Sequence, residues 1–280
     1  MVWSLPEGPS EPVGRLVLVP GLGGHLDQWA MLLPLLHRAG LATLCVPRIA
    51  SHHRNPQAQY SGITEAAVAI GAELDGAEPL RTCVLGHSVG CFVAVELALL
   101  RPDHVESLLL VNGGLSTVGR FLGSRLSTAL RRPGTCFLTL WLFLLVGLPL
   151  PEFLTRLVAR SPGVARLALS KIVGAAGLDD AEVRRLLVSN SGHPDVFRLL
   201  WRNRGEWMHF VEIAQRVDQQ AVLVAGEVDH LAGVGDSQEV ARLLGSAVSV
   251  VLPGVGHAAP LEAPAVLCQL ALELLASPTR

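Results

Sequence analysis

The sequence predicts an α/β fold, a mostly parallel sheet with helices on both faces. Short apolar segments alternate with helix-like segments along most of the chain. Each short segment is apolar without interruption, which is typical of strands buried on both faces of a parallel sheet. The predicted strands cover residues 15–19, 41–46, 81–85, 105–111, 221–225 and 247–252.

Helices are predicted between these strands and after the last one. Gly40 ends the first helix and Pro102 follows the third, and both residues disfavour helix. Residues 1–13 are rich in Pro, Gly, Ser and Glu, and we interpret them as a loose leader. The predicted helices cover residues 26–39, 63–77, 89–100 and 262–276, with one more between the last two strands.

The alternation of strands and helices stops between the fourth and fifth strands. Residues 115–215 contain no clear strand–helix–strand unit, and we interpret them as a helical cap, or lid. The core would then consist of residues 1–114 and 216–280. The predicted cap helices cover residues 119–130, 136–145, 152–158, 164–173, 180–189 and 197–215.

One segment of this cap is uncharged over almost the length of a membrane span. Residues 133–151 contain three prolines and two glycines, which shorten their helical part. We therefore expect a lid helix that is buried or faces substrate. Interfacial membrane contact is the alternative interpretation.

Composition argues against two classes of protein. The chain has 280 residues, of which 50% are hydrophobic and 16% charged, and its net charge is −2. A disordered chain needs lower hydrophobicity, and a nucleic-acid-binding protein needs a basic excess. The N-terminus lacks the pattern of a secretory signal. No CxxC pair occurs, so we expect a cytoplasmic protein with buried free thiols at Cys45, Cys83, Cys91, Cys136 and Cys268.

The strongest chemical motif is GxSxG, at residues 86–90. It directly follows a predicted strand and directly precedes a predicted helix. A nucleophile on such a sharp turn has strained backbone angles, and small residues at Gly86 and Gly90 let the turn close. We therefore predict that Ser88 is a nucleophile.

A serine nucleophile needs a base, and that base needs an orienting carboxylate. His257 lies in a glycine-rich loop after the last strand, and Asp229 lies in the loop after the fifth strand. The chain order Ser88, Asp229, His257 is typical of nucleophile-elbow hydrolases. Glu227 is the alternative carboxylate. We interpret His87 as a packing residue or, alternatively, as part of the lining of the site.

Two backbone N–H groups are candidates for an oxyanion hole. Val89 follows the nucleophile, and Leu22 lies in the glycine-rich loop after the first strand. That loop lacks the GxGxxG spacing of a phosphate-binding loop, so we favour the oxyanion interpretation.

These motifs together resemble the α/β-hydrolase family. The matching segments, from residue 15 onwards, are LVPGLGG, GHSVG, RPDHVESLLLVN, VLVAGEVD and GVGHAAPLEAP. The resemblance implies a mostly parallel eight-stranded sheet, a Ser–His–acid triad, an inserted helical cap and no cofactor or metal.

The chain departs from this family at two loops. Family members often carry His-Gly before the oxyanion donor, where this chain has Pro20 and Gly21. After the second strand, many relatives have a DxxGxG-type loop, where this chain has VPRIASHHRNP. Ser88 also distinguishes it from relatives that place Asp at the elbow.

We predict a serine hydrolase of the carboxylic ester or thioester class, acting on a hydrophobic ester, lactone or thioester. A lyase, cyclase or acyltransferase reaction on a natural-product intermediate, with the same triad, is one alternative. A small-molecule binding module that retains the triad is another. We expect a monomer or a homodimer. Apolar side chains of the cap would contact the substrate, namely Phe137, Trp141, Phe143 and Trp201.

Overall fold

A mostly parallel sheet with helices on both faces forms the centre of the chain, which confirms the predicted fold class. The computed structural model describes residues 3–4, 11–21, 26–46, 62–113, 160–169, 174, 178–189, 210–245 and 247–277. Its strands are β1 (Trp3–Ser4), β2 (Gly14–Val19), β3 (Leu41–Cys45), β4 (Thr82–His87), β5 (Ser107–Val111), β6 (Gln220–Gly226) and β7 (Ala247–Leu252).

The strand order places β4 at the middle of the sheet. Across the described residues this order is β1-β3-β2-β4-β5-β6-β7. Strands β2 to β7 run parallel, and β1 pairs with β3 in the antiparallel direction. Parallel pairing requires a crossover after each strand, and the helices supply these crossovers. All six parallel strands therefore end at the same edge of the sheet.

The helices lie between the strands in the pattern that the sequence predicts. A short 3₁₀ helix covers Leu26–Trp29. The α-helices are α1 (Leu33–Arg38), α2 (Ile63–Asp75), α3 (Gly90–Leu100), α4 (Pro162–Leu169), α5 (Asp180–Ser189), α6 (Val234–Leu243), α7 (Ala259–Glu262) and α8 (Pro264–Ala276).

Alternate residues of each strand supply two hydrophobic cores, one on each face of the sheet. In β2, Val17 and Val19 join the core beneath α2, α3 and α6, while Leu16 and Leu18 join the core beneath α1 and α8. All four side chains are fully buried. Strands buried on both faces need apolar residues at every position, which explains the uninterrupted apolar segments of the sequence.

Proline changes two of the predicted helices. The helix predicted over 26–39 divides into the 3₁₀ helix and α1, because Pro34 cannot donate the hydrogen bond that a continuous helix needs. The helix predicted over 262–276 starts instead at Pro264. The preceding residue, Ala263, has φ −138° and ψ 48°, since proline disfavours the helical conformation at the residue before it.

The interpretation of residues 1–13 as a loose leader is wrong at β1. Trp3 pairs with Cys45, and Ser4 pairs with Leu44. Strand β3 would otherwise present an unpaired edge with free N–H and C=O groups. The short β1 covers part of that edge. The sequence did not predict this strand, because residues 1–13 are rich in Pro, Gly, Ser and Glu.

The described cysteines are free and buried, as predicted: Cys45, Cys83, Cys91 and Cys268. Cys136 lies outside the described residues. Among the helices that the structure describes, none is long and apolar enough to cross a membrane. The uncharged segment 133–151 also lies outside the described residues, so its interpretation as a lid helix stays a prediction.

Candidate active site

The loops after four neighbouring strands bring the candidate residues to one edge of the sheet. Ser88 directly follows β4 and Asn112 directly follows β5. Asp229 and His257 lie in the loops after β6 and β7. Ligands of parallel α/β sheets bind outside the carboxyl ends of the strands, and all four residues lie there.

Ser88 lies in a strained turn between β4 and α3. Its φ is 53°, in the left-handed region that non-glycine residues seldom adopt. A Cβ on Gly86 would lie 2.5 Å from the carbonyl oxygen of Gly90, and a Cβ on Gly90 would overlap the carbonyl oxygen of Val19. The turn therefore needs glycine at both positions, which confirms the steric reason predicted for the motif.

A chain of two hydrogen bonds joins the three residues singled out in the sequence. Nε2 of His257 lies 3.1 Å from Oγ of Ser88, and Nδ1 lies 2.8 Å from Oδ2 of Asp229. An ionised Asp229 can only accept, so Nδ1 of His257 carries the proton and Nε2 presents its lone pair to the serine hydroxyl. This arrangement lets the imidazole remove the proton of Ser88 during a nucleophilic attack.

Four donors surround the buried carboxylate of Asp229, which is only 6% exposed. Oδ2 accepts from His257 and, at 2.6 Å, from Nδ2 of Asn112, while Oδ1 accepts from the N–H groups of Leu231 and Ala232. Burial by itself would raise the pKa of Asp229, but His257 and the other donors outweigh it and hold the pKa below its usual value. Asp229 therefore stays ionised.

Asn112 contacts the candidate site, and the sequence reasoning assigned it no role there. Its φ is 50°, a conformation that Asn tolerates better than most residues. Nδ2 donates to Asp229 and also, at 3.2 Å, to the carbonyl oxygen of Gly256. Its position could have indicated this contact from the sequence. Asn112 is the first residue after β5, so it lies at the same edge of the sheet as Ser88.

Glu227, the alternative carboxylate, does not take the place of Asp229. Its side chain is exposed, and Oε2 accepts from the N–H of Gly254 at 2.9 Å. The structure thus pairs the imidazole of His257 with Asp229, while Glu227 contacts the start of the same loop.

His87 is buried against the ring of His257. Its Nε2 lies 2.7 Å from the carbonyl oxygen of His257, so Nε2 carries a proton and donates it. The two ring centroids are 5.1 Å apart. Burial and, to a lesser degree, repulsion from His257 lower the pKa of His87 to about 3. A neutral His87 places no second positive charge beside His257 when that imidazole accepts a proton.

The structure describes only one of the two predicted oxyanion donors, Val89. Val89 is the N-cap of α3, and its N–H precedes the first hydrogen-bonded turn of that helix. Leu22 lies outside the described residues. The preceding residue, Gly21, packs against the turn that carries Ser88, since a Cβ on Gly21 would lie 3.1 Å from Cβ of Ser88.

The predicted substrate-contacting residues lie outside the described residues: Phe137, Trp141, Phe143 and Trp201. The described parts of the predicted cap include α4 and α5, close to two of the helices predicted there. Among the described residues, no cluster of His, Cys, Asp and Glu has the composition of a metal site.

The chain belongs to the alpha/beta hydrolase family. The model of that family matches residues 16–270, which is most of the chain. The match agrees with the resemblance carried by the sequence motifs and with the parallel sheet.

Individual relatives carry different activities in their names. Lipase LipV of Mycobacterium tuberculosis is 32% identical over 112 residues, which are 40% of this chain and 41% of LipV. That match spans about two fifths of the length of LipV. RutD of Shigella flexneri serotype 5b, which is named as a carbamate hydrolase, is 26% identical over 286 residues and matches 99% of this chain and 97% of RutD.

The solved structures are similar in fold. The thioesterase domain from the curacin biosynthetic pathway superposes with a TM-score of 0.63 and 20% sequence identity. The superposition covers 97% of this chain and 93% of that domain. At this identity the likeness is one of fold alone.

We predict that Gly90→Ala destabilises the chain, because the new Cβ overlaps the backbone of β2. Overpacking of this kind lowers the free energy of unfolding by about 1–3 kcal/mol. Gly235→Ala is the matched control, since a Cβ there meets nothing within 4 Å. Alanine in that exposed helical turn should stabilise by roughly 0.4–1 kcal/mol. Urea unfolding followed by circular dichroism measures both changes, and equal effects would contradict the steric account.

We predict that His87 makes the stability of the chain depend on pH. Its pKa is about 3 in the folded chain, against 6.5 for an ordinary histidine, so between these values the unfolded chain binds more protons and stability falls as the pH falls. Acidification from pH 7 to pH 5 should cost about 2 kcal/mol through this residue.

The His87→Gln variant should lose that contribution, because Gln does not titrate. His230→Gln, at an exposed histidine, is the control and should keep the dependence of the wild type. Urea unfolding at both pH values provides the comparison. An unchanged pH dependence in His87→Gln would show that His87 is not held neutral by burial.

Proposed function

We propose that this chain is a serine hydrolase that cleaves an ester, lactone or thioester of a hydrophobic acid. The observation that carries the proposal is the unbroken pair of hydrogen bonds from Ser88 through His257 to Asp229, at 3.1 and 2.8 Å. Membership of the alpha/beta hydrolase family supports a hydrolytic reaction. The name of LipV supports an acyl substrate.

The proposed reaction proceeds through an acyl-enzyme. Oγ of Ser88 attacks the carbonyl carbon of the substrate while Nε2 of His257 accepts the hydroxyl proton. Asp229 stabilises the imidazolium that forms, since its carboxylate is ionised and 2.8 Å away. His257 then passes the proton to the departing alcohol or thiol. Water, activated by the same imidazole, attacks the acyl-enzyme and releases the acid.

The negative oxygen of the tetrahedral intermediates needs N–H donors. We assign this role to the N–H groups of Val89 and Leu22. The position of Val89 at the start of α3 supports the first assignment, because a helix N-terminus favours negative charge. The close approach of Gly21 to Ser88 supports the second. One such donor contributes about 2.7–4 kcal/mol to lowering the barrier.

The proposed substrate class follows from the segment between β5 and β6. We propose that residues 115–215 form a cap over Ser88 and that its aromatic side chains contact the acyl group. They are Phe137, Trp141, Phe143 and Trp201. Their apolar character favours a hydrophobic substrate, because each ring removed from water stabilises the complex.

We predict that Ser88→Ala lowers the hydrolysis of p-nitrophenyl esters by a factor of about 10³ or more. Ser277→Ala, at the end of α8, is the matched control and should retain the wild-type rate. A series of esters from acetyl to decanoyl should show kcat/KM rising with chain length. Wild-type turnover in Ser88→Ala would refute the proposed nucleophile, and a preference for acetyl would refute the hydrophobic substrate class.

We predict that Asp229→Asn lowers kcat by about 10⁴-fold, because it removes the charge that fixes the tautomer of His257. Glu227→Gln should change kcat by less than about twofold, since Glu227 is exposed and its carboxylate accepts from the N–H of Gly254 rather than from His257. Steady-state kinetics on one ester compares the two variants. A larger loss in Glu227→Gln than in Asp229→Asn would reverse the assignment of the carboxylate.

A further inference from the structure

Glu262 contacts the backbone on both sides of His257. Its Oε2 accepts from the N–H of Gly256 at 3.0 Å, and its Oε1 accepts from the N–H of Ala258 at 3.1 Å. Gly256 and Ala258 are the two neighbours of His257 in the chain. One carboxylate therefore holds the loop of residues 253–258, called here the His257 loop, at the residues that flank the imidazole.

A third hydrogen bond connects Glu262 with a distant part of the chain. The N–H of Gly174 donates to Oε2 at 2.7 Å. Gly174 belongs to the segment 115–215, which we propose as the cap. The same carboxylate oxygen thus joins this segment to the His257 loop.

Steric contacts show independently that residue 174 lies directly against this loop. A Cβ on Gly174 would overlap the carbonyl oxygen of Gly254 and lie 2.7 Å from Oε2 of Glu262. No larger residue fits without moving either the loop or the carboxylate. Both the hydrogen bond and the close approach therefore depend on glycine at this position.

The carboxylate of Glu262 is partly withdrawn from water. Burial raises its pKa, and the charge of Asp229 acts in the same direction, while the three N–H donors oppose the increase. Loss of the carboxylate would leave these donors without an acceptor. Glu227 also accepts from the loop, at Gly254, but it is exposed, so water competes for that contact.

Two further hydrogen bonds to the loop come from residues of the site already described. His87 donates to the carbonyl oxygen of His257, and Asn112 donates to that of Gly256. These two side chains donate to carbonyl oxygens of the loop, whereas the carboxylate of Glu262 accepts from N–H groups of the loop. The contact made by Glu262 is therefore not duplicated by either of them.

We propose that Glu262 is a positioning residue, which holds His257 at hydrogen-bonding distance from Ser88 and ties residue 174 to the His257 loop. This inference rests on the proposed function, because its kinetic effect requires His257 to activate Ser88. Glu262 contacts no reacting atom. Its effect arises because a small displacement of a base from its proton donor slows the reaction strongly.

The test measures the rate at which a fluorophosphonate probe labels the wild type, Glu262→Ala, Glu262→Gln and Glu273→Gln. We expect Glu262→Ala to label about 10-fold more slowly or worse, because both carboxylate oxygens are lost and with them three hydrogen bonds. Glu262→Gln should label at an intermediate rate, since one of its terminal atoms remains an acceptor. Glu273→Gln, an exposed carboxylate on α8, is the matched control and should label like the wild type.

Two further readouts separate positioning from a general loss of stability. With p-nitrophenyl acetate, kcat should fall in Glu262→Ala while KM changes by less than about twofold, because Glu262 does not touch substrate. Hydrogen exchange measured by mass spectrometry should increase at the amides of Gly256 and Ala258 and stay unchanged in β4.

Wild-type labelling and wild-type amide exchange in a folded Glu262→Gln or Glu262→Ala chain would overturn this inference. If Glu262→Ala does not fold, the comparison of Glu262→Gln with Glu273→Gln decides. If the wild type itself is not labelled, the proposed function fails instead. Amide exchange at Gly256 and Ala258 then still tests whether Glu262 restrains the His257 loop.

Discussion

The buried negative charge of Asp229 is the constraint on which the candidate site depends. An ionised carboxylate removed from water costs several kcal/mol unless hydrogen-bond donors surround it. Asp229 obtains two donors from its own loop, one from Asn112 after β5 and one from His257 after β7. Three loops therefore have to meet at one point for the charge to be tolerated. The same contacts determine which nitrogen of His257 presents its lone pair to Ser88.

Backbone strain and close packing hold the other side of the site. Ser88 and Asn112 both have positive φ, and each follows a central strand directly. Such conformations persist only where the surrounding structure imposes them. Here the tight approach of β2 to the start of α3 and the buried, neutral ring of His87 supply that surrounding structure. The proposed reaction needs groups held in this way, because electrostatic stabilisation of a transition state requires preorganised donors.

Sequence alone predicted the sheet and the three residues of the hydrogen-bonded chain because their positions follow from local rules. Apolar segments identify the strands, and glycines identify the turn at Ser88. Asp229 and His257 lie in loops after parallel strands, and such loops meet at the same edge of the sheet. Asn112 and Glu262 were missed, because their partners are distant in sequence and depend on the path of each loop. The division of the first helix at Pro34 and the start of the last helix at Pro264 were also missed, since proline acts within an otherwise regular apolar pattern.

The central claim is that Ser88 is an activated nucleophile. Its most direct test is to treat the wild type and Ser88→Ala with a fluorophosphonate probe, read the intact mass and locate the adduct by fragmentation. We predict one adduct per wild-type chain, on Ser88, and none on the variant. A folded wild-type chain that stays unlabelled, or one that carries the adduct on another residue, would contradict the claim.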